Sequence, residues 1–219
     1  MSIHTKNLSV VPLGVWSIIA RLKKIGLIES AATVGVDQLA RVTERIFQTV
    51  PGVYILVGRG THDKTLEGVV LYAGCSGDLG QRLLAHLDAL GQVEPPKYKK
   101  TGIWAWISRI PALAALSATQ RLQSVQVVIA TVRPNRGNRP MCDIRFQYRC
   151  AEDILIHELK PVGNIQGATK SYQAFSSASQ RRLQHVDSDY DAYPTRFQKT
   201  PPEMGSPLEV LLRMNFPIQ

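Results

Sequence analysis

Two short apolar stretches, joined by a polar loop, predict a β-hairpin in the middle of the chain. The first stretch, residues 53–57 (V-Y-I-L-V), has the period of two that is typical of a half-buried strand. The second stretch, residues 68–73, carries another tyrosine, and Val70 and Tyr72 are expected on one of its faces. The pattern therefore predicts a hairpin that presents two phenols, Tyr54 and Tyr72.

A helix with one apolar side is predicted directly after this hairpin. Leucines recur at helical spacing through this segment, and Asp78 with Gln81 three positions later forms a variant of the capping box that begins helices. Arg82 and His86 are four positions apart, so they share one face of the helix. A guanidinium and an imidazole are thus expected beside the two phenols.

Two later segments are predicted to pack with the hairpin. Residues 125–132 (V-Q-V-V-I-A-T-V) have the composition of a buried strand. A helix is expected over residues 150–159, and it carries Glu152. Between the two motifs, the alternating I-W-A-W-I pattern is expected to place Trp104 and Trp106 on one face, where core packing is the default role.

The chain divides into three regions by composition. Residues 1–48 are predicted to be helical and separate, because they contain two amphipathic segments with basic residues on the polar side. Residues 49–166 hold the motifs described above, together with the inserted basic loops, and form the expected central domain. Residues 167–219 are mostly polar and turn-rich, and the sequence leaves open whether they wrap loosely around the core or contribute to specificity.

The net charge of the chain favours a polyanionic partner, most simply nucleic acid. The chain has 26 Lys and Arg residues against 17 Asp and Glu residues, which gives a net charge of +9. Two basic loops fit DNA contact, although a merely solvated loop is an equally good interpretation of each. The basic residues in these loops are Lys97, Lys99 and Lys100 in the first and Arg133, Arg136 and Arg139 in the second.

Cysteine content and hydropathy favour a cytoplasmic protein that does not contact a membrane. The chain has three cysteines in no framework spacing, which suits a reducing compartment. No run approaches the roughly 18 apolar residues that a membrane span requires. The N-terminus offers no convincing cleavage site for secretion.

The predicted hairpin and helix together resemble the GIY-YIG nuclease superfamily. Gly52-Val53-Tyr54 stands where the family has G-I-Y, and Tyr72-Ala73-Gly74 stands where it has Y-I-G. The family continues with a hydroxyl residue, an Asn or Asp before leucine, an arginine and a histidine, all in this register. Here these residues are Ser76, Asp78, Arg82 and His86.

A second block farther along the chain extends this resemblance to roughly half of the sequence. The family ends its core with a helix that bears a metal-binding Glu, followed by a Pro and by an Asn twelve positions after that Glu. Glu152, Pro161 and Asn164 meet this spacing. Two positions depart from the family: Cys75 replaces a frequent lysine, and Gly163 replaces the usual aromatic residue before the final Asn.

The resemblance implies an α+β fold with a small three-stranded antiparallel sheet flanked by helices, a helical N-terminal part and an irregular C-terminal extension. It also implies Mg²⁺-dependent hydrolysis of phosphodiester bonds, with Mn²⁺ as a possible substitute, that leaves 5′-phosphate and 3′-hydroxyl ends. Arg82 would contact the phosphate, because its planar fork matches phosphate oxygens. Glu152 would bind the metal, since one carboxylate with water and substrate oxygens is a typical Mg²⁺ arrangement.

The resemblance assigns roles to the remaining site residues as well. Tyr54 would act as the general base or orient the attacking water, and His86 could accept its proton. For Tyr54 to act as a base, nearby cations must lower its pKa. Tyr72 would hold the phosphate or the water, and Asn164 would tie the end of the helix to the sheet.

The leading hypothesis is a restriction-type endonuclease that acts on double-stranded DNA, and a homodimer is left open. The alternatives within the family are a structure-selective nuclease, a mobile-element nuclease and a toxin. The rival from another class is a DNA-binding protein that keeps the fold without catalysis. The presence of the complete residue set argues against this rival, because binding alone does not require Glu152 beside a phosphate.

Overall fold

The computed structural model describes residues 11–36, 39, 50–93, 103–132 and 141–164, in which helices cover both faces of one antiparallel sheet. The strands are β1 (Ser30–Gly35), β2 (Gly52–Gly58), β3 (Val70–Ser76) and β4 (Val125–Thr131), and their order in the sheet is β1-β4-β2-β3. The helices within the described residues are α1 (Leu13–Lys24), α2 (Leu79–Gly91), α3 (Ile103–Ser108), α4 (Pro111–Ala114), α5 (Ala118–Gln123) and α6 (Met141–Leu159), and a 3₁₀ turn lies at Lys64–Leu66.

The α+β class is confirmed, but the sheet formed by the described residues has four strands rather than the three expected. The additional strand, β1, pairs antiparallel with β4 along its whole length. It lies within the region of residues 1–48 that was expected to be helical, where α1 is helical but β1 is not. Its sequence, S-A-A-T-V-G, consists mainly of small residues, so the alternation that buries Ala32 and Val34 gives only a weak signal.

The two central strands are β2 and β4, and all seven residues of each are buried. Strand β2 pairs with β3 on one side and with β4 on the other, and since residues on both of its faces are buried, both faces are covered by helices. A bulge opposite the step from Leu56 to Val57 shifts the register of β3. Val70 and Tyr72 consequently pack on opposite faces of the sheet, and the expectation that they share one face is wrong.

The two faces of the sheet belong to two separate hydrophobic cores. The face that carries Tyr54, here called the tyrosine face, packs against α2, α3 and α4. The opposite face, here called the aliphatic face, packs against α1 and α6. Along β2, Tyr54 and Leu56 point to the tyrosine face, whereas Val53, Ile55 and Val57 point to the aliphatic face.

The helices agree with the sequence in part. Helix α2 begins where predicted, and the Asp78 carboxylate accepts a hydrogen bond from the Gln81 N–H at 2.9 Å. Helix α6 begins at Met141, well before the expected residue 150, and the alternation around Trp106, which is typical of a strand, lies in the short helix α3. None of the described helices is long and apolar enough to cross a membrane.

Candidate active site

Three buried side chains on the tyrosine face form a chain of hydrogen bonds. Trp106 on α3 donates its indole N–H to Nδ1 of His86 on α2 at 3.1 Å. Nε2 of His86 lies 2.7 Å from the hydroxyl oxygen of Tyr54 on β2. Each of the three residues is at most 2% exposed, so both hydrogen bonds lie within the core.

Tyr72 extends this aromatic group along the sheet. Its ring centroid lies 6.2 Å from that of Tyr54, 5.2 Å from that of His86 and 5.7 Å from that of Trp106. Tyr72 is half-buried, whereas Tyr54 is buried, so Tyr72 is the phenol nearer to solvent. The two phenols of the hairpin therefore lie side by side, and only one of them is partly open to a substrate.

Burial raises the pKa of both phenols above its ordinary value. For Tyr54, burial is the largest cause and the neighbouring Tyr72 adds to it, so its pKa lies well above 10. Arg82 lowers the pKa of both tyrosines, and Glu152 raises it. Arg82 thus acts in the expected direction but is outweighed by burial, and both phenols are protonated at neutral pH in the free protein.

Burial also keeps the imidazole of His86 neutral. It lowers the pKa of His86 to about 3, and the positive charge of Arg82 on the same helix contributes in the same direction. A general base works best when its pKa lies near the working pH. The role of proton acceptor, which the resemblance suggested for His86, is therefore disfavoured by its surroundings.

Arg82 lies one helical turn before His86, but its side chain is exposed whereas His86 is buried. The two side chains lie on the same side of α2, as predicted, but at different depths: the imidazole lies inside the core and the guanidinium lies at the surface. The positive charge of Arg82 still lowers the pKa of Tyr54, Tyr72 and Glu152. An exposed guanidinium in this position can bind a phosphate oxygen.

The glycines of the two sequence motifs are required by close packing. A Cβ atom on Gly74 would lie 2.4 Å from the hydroxyl oxygen of Tyr54 and 2.6 Å from its Cζ. A Cβ atom on Gly52 would lie 2.3 Å from the carbonyl oxygen of Ala130. Gly74 therefore makes room for the Tyr54 phenol, and Gly52 lets β2 approach β4.

Glu152 on α6 reaches the outer edge of β3, where it contacts Cys75. Its Oε1 accepts a hydrogen bond from the Cys75 backbone N–H at 3.1 Å, and its Oε2 accepts one from the Cys75 thiol at 2.8 Å. Burial raises the pKa of Glu152, and the bonds from Cys75 together with the charges of Arg149 and Arg82 offset this in part. The contact was not predicted, because Cys75 and Glu152 are 77 positions apart and no periodicity links them.

Glu152 is the residue that could hold a divalent metal at this site. Each of its oxygens accepts one hydrogen bond from Cys75, which leaves a lone pair on each for a cation. In the described parts of the chain, no group of three or more His, Cys, Asp or Glu side chains could hold a metal ion. The donor set therefore fits Mg²⁺ that also binds water and a substrate phosphate, rather than a metal enclosed by protein.

Asn164 fastens the segment after α6 to the outer edge of β3. Its Oδ1 accepts a hydrogen bond from the Ala73 N–H at 2.9 Å, and its Nδ2 donates to the Ala73 carbonyl at 2.8 Å. The backbone N–H groups of Val162 and Gly163 donate to carbonyls of the same strand. This is the tie between helix end and sheet that the resemblance implied, and it closes the edge of β3.

The predicted site residues differ in how closely the structure brings them together. Tyr54, Tyr72 and His86 are in contact, while Arg82 and Glu152 lie near enough to shift the pKa of both phenols. The indole donor Trp106 and the thiol donor Cys75 were not predicted as part of the site. The basic residues expected to contact DNA, Lys97, Lys99, Lys100, Arg133, Arg136 and Arg139, lie outside the described residues.

Comparison of the chain with protein-family models, with curated proteins and with solved structures finds no match in any of the three. The function of the site must therefore be inferred from its own residues and their geometry.

Proposed function

We propose that this chain is a Mg²⁺-dependent DNA endonuclease that hydrolyses phosphodiester bonds. The observation that carries the proposal is a pair of adjacent phenols, 6.2 Å apart between ring centroids, whose pKa is lowered by the charge of an exposed guanidinium and raised by that of a carboxylate. Phosphodiester hydrolysis needs groups of these kinds, because it requires an oriented water, a neutralised phosphate and a cation at the leaving oxygen. The four residues are Tyr54, Tyr72, Arg82 and Glu152.

Arg82 is assigned to the phosphate. Its side chain is exposed on α2, where a phosphate can reach it without a change in the core, and its charge lowers the pKa of the half-buried Tyr72. A guanidinium binds two phosphate oxygens at once and stays charged at any working pH. The net charge of +9 also favours a polyanionic substrate.

Tyr54 and Tyr72 are assigned to the attacking water and the phosphate. The main role of Tyr54 is to orient the water. A phenol whose pKa lies well above 10 is a weak base at neutral pH, but it remains a good hydrogen-bond donor and acceptor. Tyr72, nearer to solvent, is the phenol placed to contact the substrate directly. Of the two roles that the resemblance left open for Tyr54, its surroundings thus favour the orienting one.

Glu152 is assigned to the metal, for which Mn²⁺ could substitute. A divalent ion, when bound there, neutralises charge that develops on the leaving oxygen. The carboxylate is held in position by the two bonds from Cys75, so it does not have to be ordered when the ion binds. The products expected are 5′-phosphate and 3′-hydroxyl ends, as in the family that the sequence resembles.

The test is cleavage of supercoiled and linear DNA by the wild type and by Glu152→Gln, with Mg²⁺ and with a chelator. Glutamine keeps the shape of the side chain and removes its charge, so the cleavage rate should fall about 100- to 1000-fold. Glu158→Gln is the matched control, since Glu158 is a half-exposed carboxylate on the same helix, paired with Arg21. The control should cleave as the wild type does.

The cleavage pattern separates the remaining possibilities. Discrete fragments from linear DNA would support the restriction-type hypothesis, whereas nicks or smears would keep the nuclease and point to another role. Binding of DNA without metal-dependent cleavage would favour the DNA-binding protein without catalysis. Equal cleavage by the wild type and Glu152→Gln would mean that the metal has been assigned to the wrong residue.

A further inference from the structure

The hydrogen bond between Trp106 and His86 has only one possible direction. An indole N–H is a donor and never an acceptor, so Nδ1 of His86 must present its lone pair to Trp106. A neutral imidazole carries its single proton on the other nitrogen, here Nε2. Nε2 faces the hydroxyl oxygen of Tyr54 at 2.7 Å, so the imidazole is the donor in that bond and Tyr54 is the acceptor.

The geometry points to Trp106 as a positioning residue that fixes the tautomer of His86 and thereby makes His86 a hydrogen-bond donor to Tyr54. In this arrangement His86 cannot take the proton of Tyr54, because Nε2 is already protonated and Nδ1 is engaged by Trp106. The hydroxyl hydrogen of Tyr54 must therefore point away from His86.

The position of Trp106 is set by the segment that follows α6. A Cβ atom on Gly163 would lie 3.1 Å from the Cβ of Trp106 and 2.5 Å from the carbonyl oxygen of Leu71, so only glycine leaves the space that the indole occupies. Arg109, just after α3, donates to the carbonyl oxygen of Gly163 at 3.1 Å and holds the two segments together. Gly163 and Trp106 thus fit each other across the edge of the tyrosine face.

This fit gives a physical reason for one departure from the family pattern. The residue before Asn164 is a glycine rather than the aromatic residue usual in the family, and Trp106 packs against this glycine. Unlike an aromatic hydrocarbon ring, an indole also supplies an N–H donor. The donor is the part of Trp106 that acts on His86, and it can be removed without removing the ring.

The consequence for catalysis rests on the proposed nuclease function, but the tautomer does not. Trp106→Phe keeps an aromatic ring in the core and removes the N–H. Nitrogen-15 NMR of the imidazole groups reports the tautomer directly, and the spectrum of His86→Gln assigns the signals of His86 among the five histidines of the chain. Trp16→Phe is the matched control, because Trp16 packs against the aliphatic face.

In the wild type and in Trp16→Phe, Nε2 of His86 should be protonated and Nδ1 unprotonated. In Trp106→Phe the two tautomers should mix, and the DNA cleavage rate should fall about 10- to 100-fold, as for other partners that orient a functional histidine. A single Nε2–H tautomer in Trp106→Phe would overturn the assignment. A mixed tautomer with an unchanged cleavage rate would overturn the positioning role.

Two further outcomes keep the test decisive. If Trp106→Phe does not fold, the wild-type spectrum alone decides, because a protonated Nδ1 of His86 at neutral pH contradicts the inference. If the wild type cleaves no DNA but the tautomer mixes in Trp106→Phe, the structural part of the inference stands and the nuclease proposal fails.

Discussion

The two faces of the sheet are built from the same strands but differ in the polar groups that they enclose. On the aliphatic face, α1 and α6 cover side chains such as Val53 and Ile55, and the ion pair that joins the helices, Arg21 to Glu158, lies at the surface. On the tyrosine face, Tyr54, His86 and Trp106 are hydrogen-bonded within the core. The aliphatic face therefore stabilises the fold mainly by burying apolar side chains, whereas the tyrosine face also orients polar groups.

This difference indicates which substitutions should change only the stability of the protein and which should also change its activity. Apolar burial is not directional, so the aliphatic face should tolerate small changes in shape at a modest cost in stability. A buried polar group that loses its hydrogen-bond partner destabilises the folded state, so the tyrosine face should be sensitive to the removal of a single polar atom.

The largest effect is expected from the buried arginine beside α2. Arg121 donates from its guanidinium to the carbonyl oxygens of Leu90 and Leu116, at 2.9 Å and 2.8 Å, and also to that of Gln92. Arg121→Met should lower the free energy of unfolding by about 3–5 kcal/mol, because it leaves these carbonyls without their charged donor. Denaturant unfolding measures the change.

The matched control for that variant is the exposed arginine of the other face. Arg21 pairs with Glu158 at 3.1 Å, and its side chain is 52% exposed. Arg21→Met should cost less than about 1 kcal/mol, since water screens the pair. Similar losses of unfolding free energy in Arg121→Met and Arg21→Met would contradict the expected difference between the buried and the exposed arginine.

The next largest effect is expected from a substitution of Gly74. Gly74→Ala places a Cβ against the Tyr54 phenol, and it should cost about 2–3 kcal/mol and reduce DNA cleavage, since the phenol must move away from His86. Gly14→Ala in α1 is the control, because a Cβ there meets nothing within 4 Å and alanine favours the helix. A stable and fully active Gly74→Ala protein would show that the phenol need not be held in place.

The pH dependence of stability should reveal the buried imidazole. Because the folded pKa of His86 is about 3, the unfolded chain takes up a proton below about 6.5 that the folded protein does not. The contribution of His86 to stability is therefore complete above about pH 6.5 and is lost as the pH falls towards 3. Between pH 7 and pH 5 the loss should be about 2 kcal/mol.

The measurement is the free energy of unfolding against pH for the wild type, His86→Gln and His62→Gln. His86→Gln should flatten the slope of this curve, and His62→Gln, at an exposed histidine, is the matched control. Equal slopes for His86→Gln and the wild type would mean that the imidazole is not kept neutral by the fold.

The sequence predicted the elements whose patterns are strong. β2, β4 and α2 combine continuous or periodic apolar residues with clear boundary signals, such as Asp78 at the start of α2. β1 was missed because its small residues alternate weakly, and α3 was misread because six residues are too few to separate a period of two from a helical one. The bulge that turns Val70 away from Tyr72 has no signal in a single sequence.

The candidate site was predictable in its residues but not in its contacts. Tyr54, Tyr72, Arg82, His86 and Glu152 stand at recognisable spacings. The hydrogen bonds from Trp106 to His86 and from Cys75 to Glu152 were not predicted. They depend on distances in the folded structure, which sequence spacing does not encode. Burial likewise reverses the expected pKa shift of the phenol, since depth in the core is set by packing from other elements.

The most direct test of the central claim compares two neighbours on β2 that face opposite ways. Tyr54→Phe removes one hydroxyl from the tyrosine face, and Ile55→Val removes one methyl group from the aliphatic face. Each should cost about 1 kcal/mol of stability, but only Tyr54→Phe should lower the single-turnover rate of Mg²⁺-dependent DNA cleavage, by about 100-fold or more. Equal cleavage rates in the two variants would contradict the assignment of chemistry to the tyrosine face.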